Sequence, residues 1–479
     1  MRTLEINQEQ KTWTSAAQCM YAVLQYTDRL DLSLAEVMGF TSHAFRINIH
    51  PETVSPAGPT MFDPYQLVAK GLYTLGVHSI TASRETPLPP ASLEKTIKII
   101  QRGIDGGFPV IGWDLFIPEF GLIYGYDHEK QLLFAKDVDK DGEIPYNKFD
   151  QRPNNHMYIT VINDVRPRHL VHMLKDGLRT SIDHLLNQSC SWSSPEYKHG
   201  LAGYEAWLHA FKGEQIDPFG NAYNAEVVAD ARKFAHQFFN QLAQKWSAES
   251  PLDLRIIDLF QQAEQVYSDV ATEMAKLQAL FPFPQGGNPE DPKSRSKAVE
   301  YLEHAFKAEK IGVKILESLY QSLEEYEIEE FMTCRTVQRK FQVIGEQHHS
   351  LPENLNKDLA KARNSILVRD YEITSRFTIE TVVYQPRTEE DKQIGYTTGF
   401  EVVSNMEQLP SGMVYVSVEN EFAHIDGLPE QRDEMLEKLR LWVDEQGYEE
   451  DKNVQSIEMT LLASDDLTIL DIFLPIKKK

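Results

Sequence analysis

Cysteine is scarce in this chain of 479 residues: there are three, Cys19, Cys190 and Cys334, far apart and odd in number. That excludes a disulfide framework and a cysteine-rich zinc site, and fits a reducing compartment. Basic residues are the second shortage, 48 Lys plus Arg against 72 Asp plus Glu, for a formal charge of −24. Such a chain repels phosphate backbones and anionic lipid, and no basic stripe overrides the total, so neither nucleic acid nor a membrane is an expected partner. No stretch of about 18 apolar residues occurs, the length a bilayer-spanning helix needs. Residues 1–10 carry Glu5 and Glu9 and lack the roughly 7–15 apolar residues of a secretory signal. A cytoplasmic location is therefore expected.

What the chain does hold is enough apolar material for well-filled cores, 42% hydrophobic and 10% aromatic residues, as in ordinary globular proteins. At roughly 100–200 residues per domain the length argues for about three domains. Changes of texture place them at 1–221, 222–330 and 331–479. The first mixes short apolar runs at 107–113, 120–126 and 157–162 with helical patterns and turn residues, an α+β texture.

In the second region Val227, Ala231, Phe234, Phe238, Leu242 and Trp246 recur at helical spacing, as do Leu259, Ala263, Val266, Val270, Met274 and Leu277. After a Pro- and Gly-rich breaker at 281–292, a third pattern carries Leu302, Phe306, Ile315, Leu319 and Leu323. These one-sided helices read as a structural or dimerising bundle, with a homodimer as the expected assembly and no chemistry of their own. The third region alternates strand patterns at 336–344, 381–384, 399–403, 413–418, 456–462 and 467–474 with helices over 354–368 and 430–445. It holds 17 basic and 27 acidic residues, a net of 17 − 27 = −10, and is the more acidic part per residue.

Cys19 lies just after the turn-prone Thr14-Ser15, at the front of an apolar helical stretch. A helix N-terminus stabilises a thiolate through its free N–H groups and dipole. Cys19, then Pro109-Val-Ile-Gly-Trp-Asp114, Gly125-Tyr-Asp127, Asp137 and finally 200–207 follow one another in an order that resembles the papain-like fold of double-glycine leader peptidases. The order is closer still to the butirosin-biosynthesis protein H N-terminal family, over residues 10–240. The resemblance implies a bacterial cysteine-dependent acyltransferase or amide hydrolase of secondary metabolism, in which a cysteine attacks a carbonyl, a strand-borne histidine takes its proton and an acid orients that histidine. Here Cys19 and Asp137 take the outer roles, and the position implied for the histidine holds Glu119. A glutamate is a poor base toward a thiol and opposes thiolate formation. His128 and His156 are the substitute bases, and Gln8, Gln10 and Gln18 are the nearby glutamines for the oxyanion.

Asp137-Val-Asp-Lys-Asp-Gly-Glu143 offers the oxygen ligands and glycine turn of a calcium loop. The twelfth position, which should be a bidentate Glu, is Lys148. A hairpin turn between flanking strands is the favoured reading. No metal and no cofactor are expected.

In the last region Tyr396 to Val402, Leu409 to Met413, Phe422 to Gly427, Leu441-Trp442, Ile457-Glu458 and Phe473 to Lys477 follow in an order that resembles the GyrI-like effector-binding domains of AraC- and MerR-type regulators. The resemblance covers 331–479. It implies two β-α-β-β repeats around a groove for flat, cationic small molecules, with Glu458 as countercharge and Tyr396, Tyr415, Trp442 and Phe473 as the aromatic walls. His424 is expected at the sheet edge. The acidic segment 317–330 just before the domain is no DNA-reading helix. Two functions stay open: a small-molecule sensor or sequestering protein without its own DNA-binding domain, and a Cys19-dependent acyl-transfer enzyme.

Overall fold

The helix-period stripe of Val227, Ala231, Phe234, Phe238 and Leu242 continues upstream without a break to Pro218, where Asp217 caps the helix by accepting from the Phe219 N–H. The division expected after residue 221 therefore falls inside a helix, and that helix shares one apolar core with the N-terminal region. The computed structural model describes the chain except residues 7–10, 28–30, 167, 189–195, 214, 327–330, 370–371, 374–375, 387–391, 403–404, 407 and 465–466. Gln8, Gln10 and Cys190 lie outside the described residues. Two compact units result, the first made of 1–88 with 103–328, the second of 89–102 with 329–479. The reason for two rather than three is burial: the one-sided middle helices cover their stripes against the N-terminal residues instead of against one another alone.

The first unit runs β1 (Arg2–Thr3), α1 (Ser15–Leu24), α2 (Leu34–Phe40), β2 (Asn48–Ile49), α3 (Lys70–Thr74) and β3 (Val77–Glu85). Helix α4 (Pro90–Asp105) follows, beginning in the second unit's share of the chain, and then β4 (Val110–Trp113), β5 (Phe120–Asp127), β6 (Leu132–Lys136), β7 (Asp141–Pro145) and β8 (His156–Val165). After α5 (Leu170–Leu185), β9 (Lys198–His199) and α6 (Leu201–Ala210) come the long helices α7 (Pro218–Lys245), α8 (Pro251–Leu280) and α9 (Pro292–Leu323). An antiparallel sheet in the order β3-β8-β4-β5-β6-β7, with β1 beside β5, packs with these helices. The Asp-rich segment is the expected hairpin: Lys136 pairs with Asp141 across it. No helix among the described residues is long and apolar enough to cross a membrane.

The second unit repeats one motif. β10 (Arg335–Ser350), α10 (Leu355–Leu367), β11 (Arg376–Tyr384) and β12 (Ile394–Val402) form one β-α-β-β set. β13 (Met413–Gly427), α11 (Arg432–Glu445), the short β14 (Tyr448–Glu450), β15 (Ser456–Ser464) and β16 (Leu467–Lys478) form the second. The strand order is β13-β10-β12-β11-β15-β16, and β16 pairs again with β13, closing the ladder on itself. Closure leaves no long free edge. His424, expected at an edge, is instead central, with Arg335 of β10 opposite on one side and Phe473 of β16 on the other. Where β10 crosses β12, Gly345 and Gly399 face each other, and a Cβ on either would sit 2.1 or 2.2 Å from a backbone carbonyl oxygen of the neighbouring strand.

Candidate functional site

Helix α1 begins at Ser15, one residue after the turn at Thr14, and no side chain caps its first turn. Cys19 is therefore the fifth helical residue, one turn inside the core and fully buried, and it does not line the cavity at the helix start. The residue at the opening is Ser15. Its hydroxyl accepts from the Phe120 N–H at 3.2 Å and donates to Glu119, whose other carboxyl oxygen accepts from the Tyr223 hydroxyl. Glu119 thus sits at the helix N-terminus as the family order implies for a histidine, but its neighbours there are two hydroxyls. Burial pushes its carboxyl above the ordinary range, Asp137 adds to that shift, and the two hydrogen bonds oppose it.

Asp137 shapes this corner from behind. One of its oxygens accepts from the N–H groups of Phe116 and Ile117 at 3.0 and 3.2 Å, the other from Asp139 and Lys140 at 2.9 Å each. The loop between β4 and β5 is pinned this way, and Asp114, in a left-handed conformation, donates its N–H to the Glu119 carbonyl at 3.0 Å. Asp137 is a positioning residue for Glu119, with no imidazole to orient. His128 is exposed just beyond the far end of β5, roughly 25 Å of strand away from Glu119. His156 starts β8 and bonds the Ser83 hydroxyl at 2.9 Å. Neither lines the cavity at the helix start.

Counted together with the solvent space at its open mouth, the cavity spans about 520 Å³. Trp13, Phe62, Phe120, Tyr223 and Val228 supply apolar wall, and His43 and Arg46 supply polar groups that the sequence reading missed. Both sit on one short turn after α2, with Ser42 in a left-handed conformation at its start. Arg232, fully buried on α7, holds that turn by donating to the carbonyls of Ala44 and Arg46 at 3.0 and 3.2 Å and pairs with Glu309 of α9 at 2.7 Å.

Thr41 donates its hydroxyl to the Val37 carbonyl at 2.6 Å, so its 2.7 Å contact with His43 Nδ1 makes that nitrogen the donor. The neutral ring then presents Nε2 as a buried acceptor. Burial, reinforced by Arg46, pushes the His43 pKa down to about 3, which keeps the ring neutral. Among the described residues neither His43 Nε2 nor Arg46 Nε has a hydrogen-bond partner, although both atoms are buried. No carboxylate among the described residues pairs with Arg46; its guanidinium lies 5.3 Å from the Phe62 ring centre, and burial lowers its pKa to about 10. The sequence signal available was a histidine and an arginine in the otherwise largely apolar stretch His43-Ala-Phe-Arg-Ile-Asn-Ile49.

In the second unit Glu458, Tyr396 and Phe473 are buried, Tyr415 and Trp442 are half-buried, and arginines of the same chain lie at Glu458 and Phe473. Glu458 accepts from Arg432 Nη2 at 2.5 Å and Nε at 2.9 Å, beside the Tyr384 hydroxyl. Phe473 packs edge-on against Phe341 at 4.9 Å, and Arg339 lies 4.6 Å from the Phe341 ring centre and 5.4 Å from that of Phe473. Arg339 and Arg102 both reach the fully buried Glu401, at 3.3 and 2.8 Å. His424 bonds Asp471 at 2.9 Å in the same interior. The remaining aromatic residues have contacts of their own: Tyr396 stacks on His348 under α10, Tyr415 accepts from Gln342 at 2.5 Å, and Trp442 packs on the apolar cluster beneath α11.

No family model matches this chain, and no curated protein matches it. Among solved structures it is similar to an integron cassette protein from the mobile metagenome of Vibrio cholerae, at 12% identity and a TM-score of 0.22, covering 31% of this chain and 97% of that one. It is also similar to the EcmrR C-terminal domain, at 9% identity and a TM-score of 0.25, over 31% of this chain and 99% of that domain. A cryo-EM structure of an EcmrR–DNA complex matches at 12% identity and a TM-score of 0.25, over 47% of this chain and 84% of that one. Scores of this size settle neither the fold nor the function of the chain.

Proposed function

We propose that this protein binds a small organic molecule in the cavity at the N-terminus of α1. One observation carries the reading: His43 and Arg46 line a largely apolar cavity, and each carries a buried polar atom without a partner among the described residues. Unpaired buried polar groups are costly, of order 1–3 kcal/mol each, and a ligand that satisfies them recovers that cost. Binding is preferred over thiol chemistry because Cys19 lies in the core and the helix opens on a serine whose proton goes to Glu119.

A papain-like ancestry of the first unit is supported by the N-terminus of α1 meeting Glu119, just before β5, with Asp137 behind it; Glu119 would then stand where the imidazole is implied. For the second unit, the two β-α-β-β sets support a GyrI-like effector-binding reading. A cationic ligand at Glu458 would have to displace Arg432, so the acidic site there acts first as an internal ion pair.

Ligand-observed NMR with a fragment set of carboxylates, alcohols and amides tests the cavity. Fragments that bind the wild-type chain should lose contact in both Thr60→Trp and Val228→Phe, which fill the cavity from different walls. Fragments that bind all three proteins alike would sink the proposal.

A further inference from the structure

Resting on that reading of the cavity, we propose that its ligand is a small carboxylate carrying a hydrogen-bond donor on the neighbouring carbon, a hydroxy acid in the simplest case. Arg46 anchors the carboxylate and His43 Nε2 accepts from the donor.

The anion follows from charge accounting within the cavity. A guanidinium taken out of water and left without a carboxylate is among the more expensive arrangements a protein can hold. Arg46 is half-buried, with a buried Nε that has no partner among the described residues and the Phe62 ring centre 5.3 Å from its guanidinium. The cavity also receives the uncapped N-terminus of α1, through Thr14, Ser15 and Ala16. Free N–H groups and the helix dipole there favour negative charge. Glu119 lines the same cavity but is held by the Ser15 and Tyr223 hydroxyls rather than paired with Arg46, and its carboxyl disfavours a phosphate dianion more than a monoanion.

The donor follows from the tautomer. Because Thr41 has already spent its proton on Val37, His43 Nδ1 carries the ring hydrogen and Nε2 can only accept. His43 and Arg46 are three residues apart on one tight turn, where side chains at that spacing lie on the same side. Phe62 ties them together: its ring centre is 6.4 Å from the imidazole and 5.3 Å from the guanidinium. A carboxylate and a donor on adjacent carbons match that closeness. Phe62 itself stacks on Phe120 at 5.9 Å, giving the ligand's carbon part a rigid aromatic floor.

The test uses the full chain and three probes of one shape, mandelate, phenylacetate and phenylacetamide, by isothermal titration. Mandelate should bind most tightly and phenylacetamide least. Arg46→Gln should weaken both carboxylates by about tenfold or more while changing phenylacetamide by less than about twofold. Arg46→Lys should retain part of the carboxylate affinity, and His43→Phe should remove the advantage of mandelate over phenylacetate. Should Arg46→Gln fail to fold, the order of the three probes on the wild-type chain still decides. Phenylacetamide binding as tightly as the carboxylates would overturn the anion proposal and leave the cavity reading standing. No binding by any probe, with the fragment set also blind to Thr60→Trp, would overturn both.

Discussion

Arginine behaves oppositely in the two units. In the second, each buried acid that could have greeted a cation already holds one from the same chain: Arg432 on Glu458, Arg339 and Arg102 on Glu401. In the first, no carboxylate among the described residues pairs with Arg46, which lines a cavity together with Glu119, while Arg232 pairs with Glu309 and donates to two carbonyls, leaving only its Nη2 without a partner among the described residues. A satisfied charge holds a fold together and offers little to a ligand. An unsatisfied one is tolerated only where something else stabilises the arrangement, and here Arg232 fixes the turn that carries Arg46. The difference teaches that residue type alone is a poor guide to a binding site, and that the partner count decides.

Three measurements would break or sharpen this contrast. The largest effect belongs to the committed acids. Glu309→Ala strips the partner from a fully buried guanidinium and should cost about 3–5 kcal/mol in chemical denaturation, with Glu401→Ala costing somewhat less because Arg102 is partly exposed. A loss below about 1 kcal/mol for either would mean that these pairs are not what stabilises their units.

The second effect is a pH dependence. The folded pKa of His43, about 3, lies below the ordinary 6.5 of the unfolded chain, so the folded state binds fewer protons between those values. Its contribution is fully present above pH 6.5 and is lost as pH falls, by about 2 kcal/mol at pH 5. His43→Gln, which does not titrate, should flatten the stability curve between pH 6.5 and 5; an unchanged slope would place His43 in contact with water.

The smallest effect has the opposite sign. Arg46→Met removes a charge without a partner and keeps the apolar contact with Phe62, so stability should be unchanged or rise by up to about 1 kcal/mol. A clear loss would show that the chain supplies Arg46 with a counterion in solution, and the contrast between the units would fail.

Much of the architecture was legible in the sequence because it rests on local periodicity. The stripes of α7, α8 and α9 and the alternation that became β10, β12, β13 and β16 are written in neighbouring residues, as is the Asp-Gly hairpin between β6 and β7. Boundaries were less legible, since β13 runs on to Gly427 where its apolar pattern gives way to polar residues after Val418. The candidate site was half legible. Glu119, Asp137 and the helix start were marked by order along the chain, but Cys19 drew attention one turn too late because a helix start cannot be placed to the residue from pattern alone. Tyr223, 104 residues from Glu119, carried no sequence signal at all.

By itself, then, the sequence determined the elements of this protein and its charge: which stretches are helix or strand, and how strongly acidic the chain is. Only the tertiary structure decided which charges meet. Residues 89–102 joined the second unit, Glu458 found Arg432, and Arg46 was left facing a cavity. The physical reason is one of range. Backbone propensity and apolar periodicity act between near neighbours, whereas the pairing of a buried charge is settled by side chains far apart in sequence that burial brings within a few ångströms.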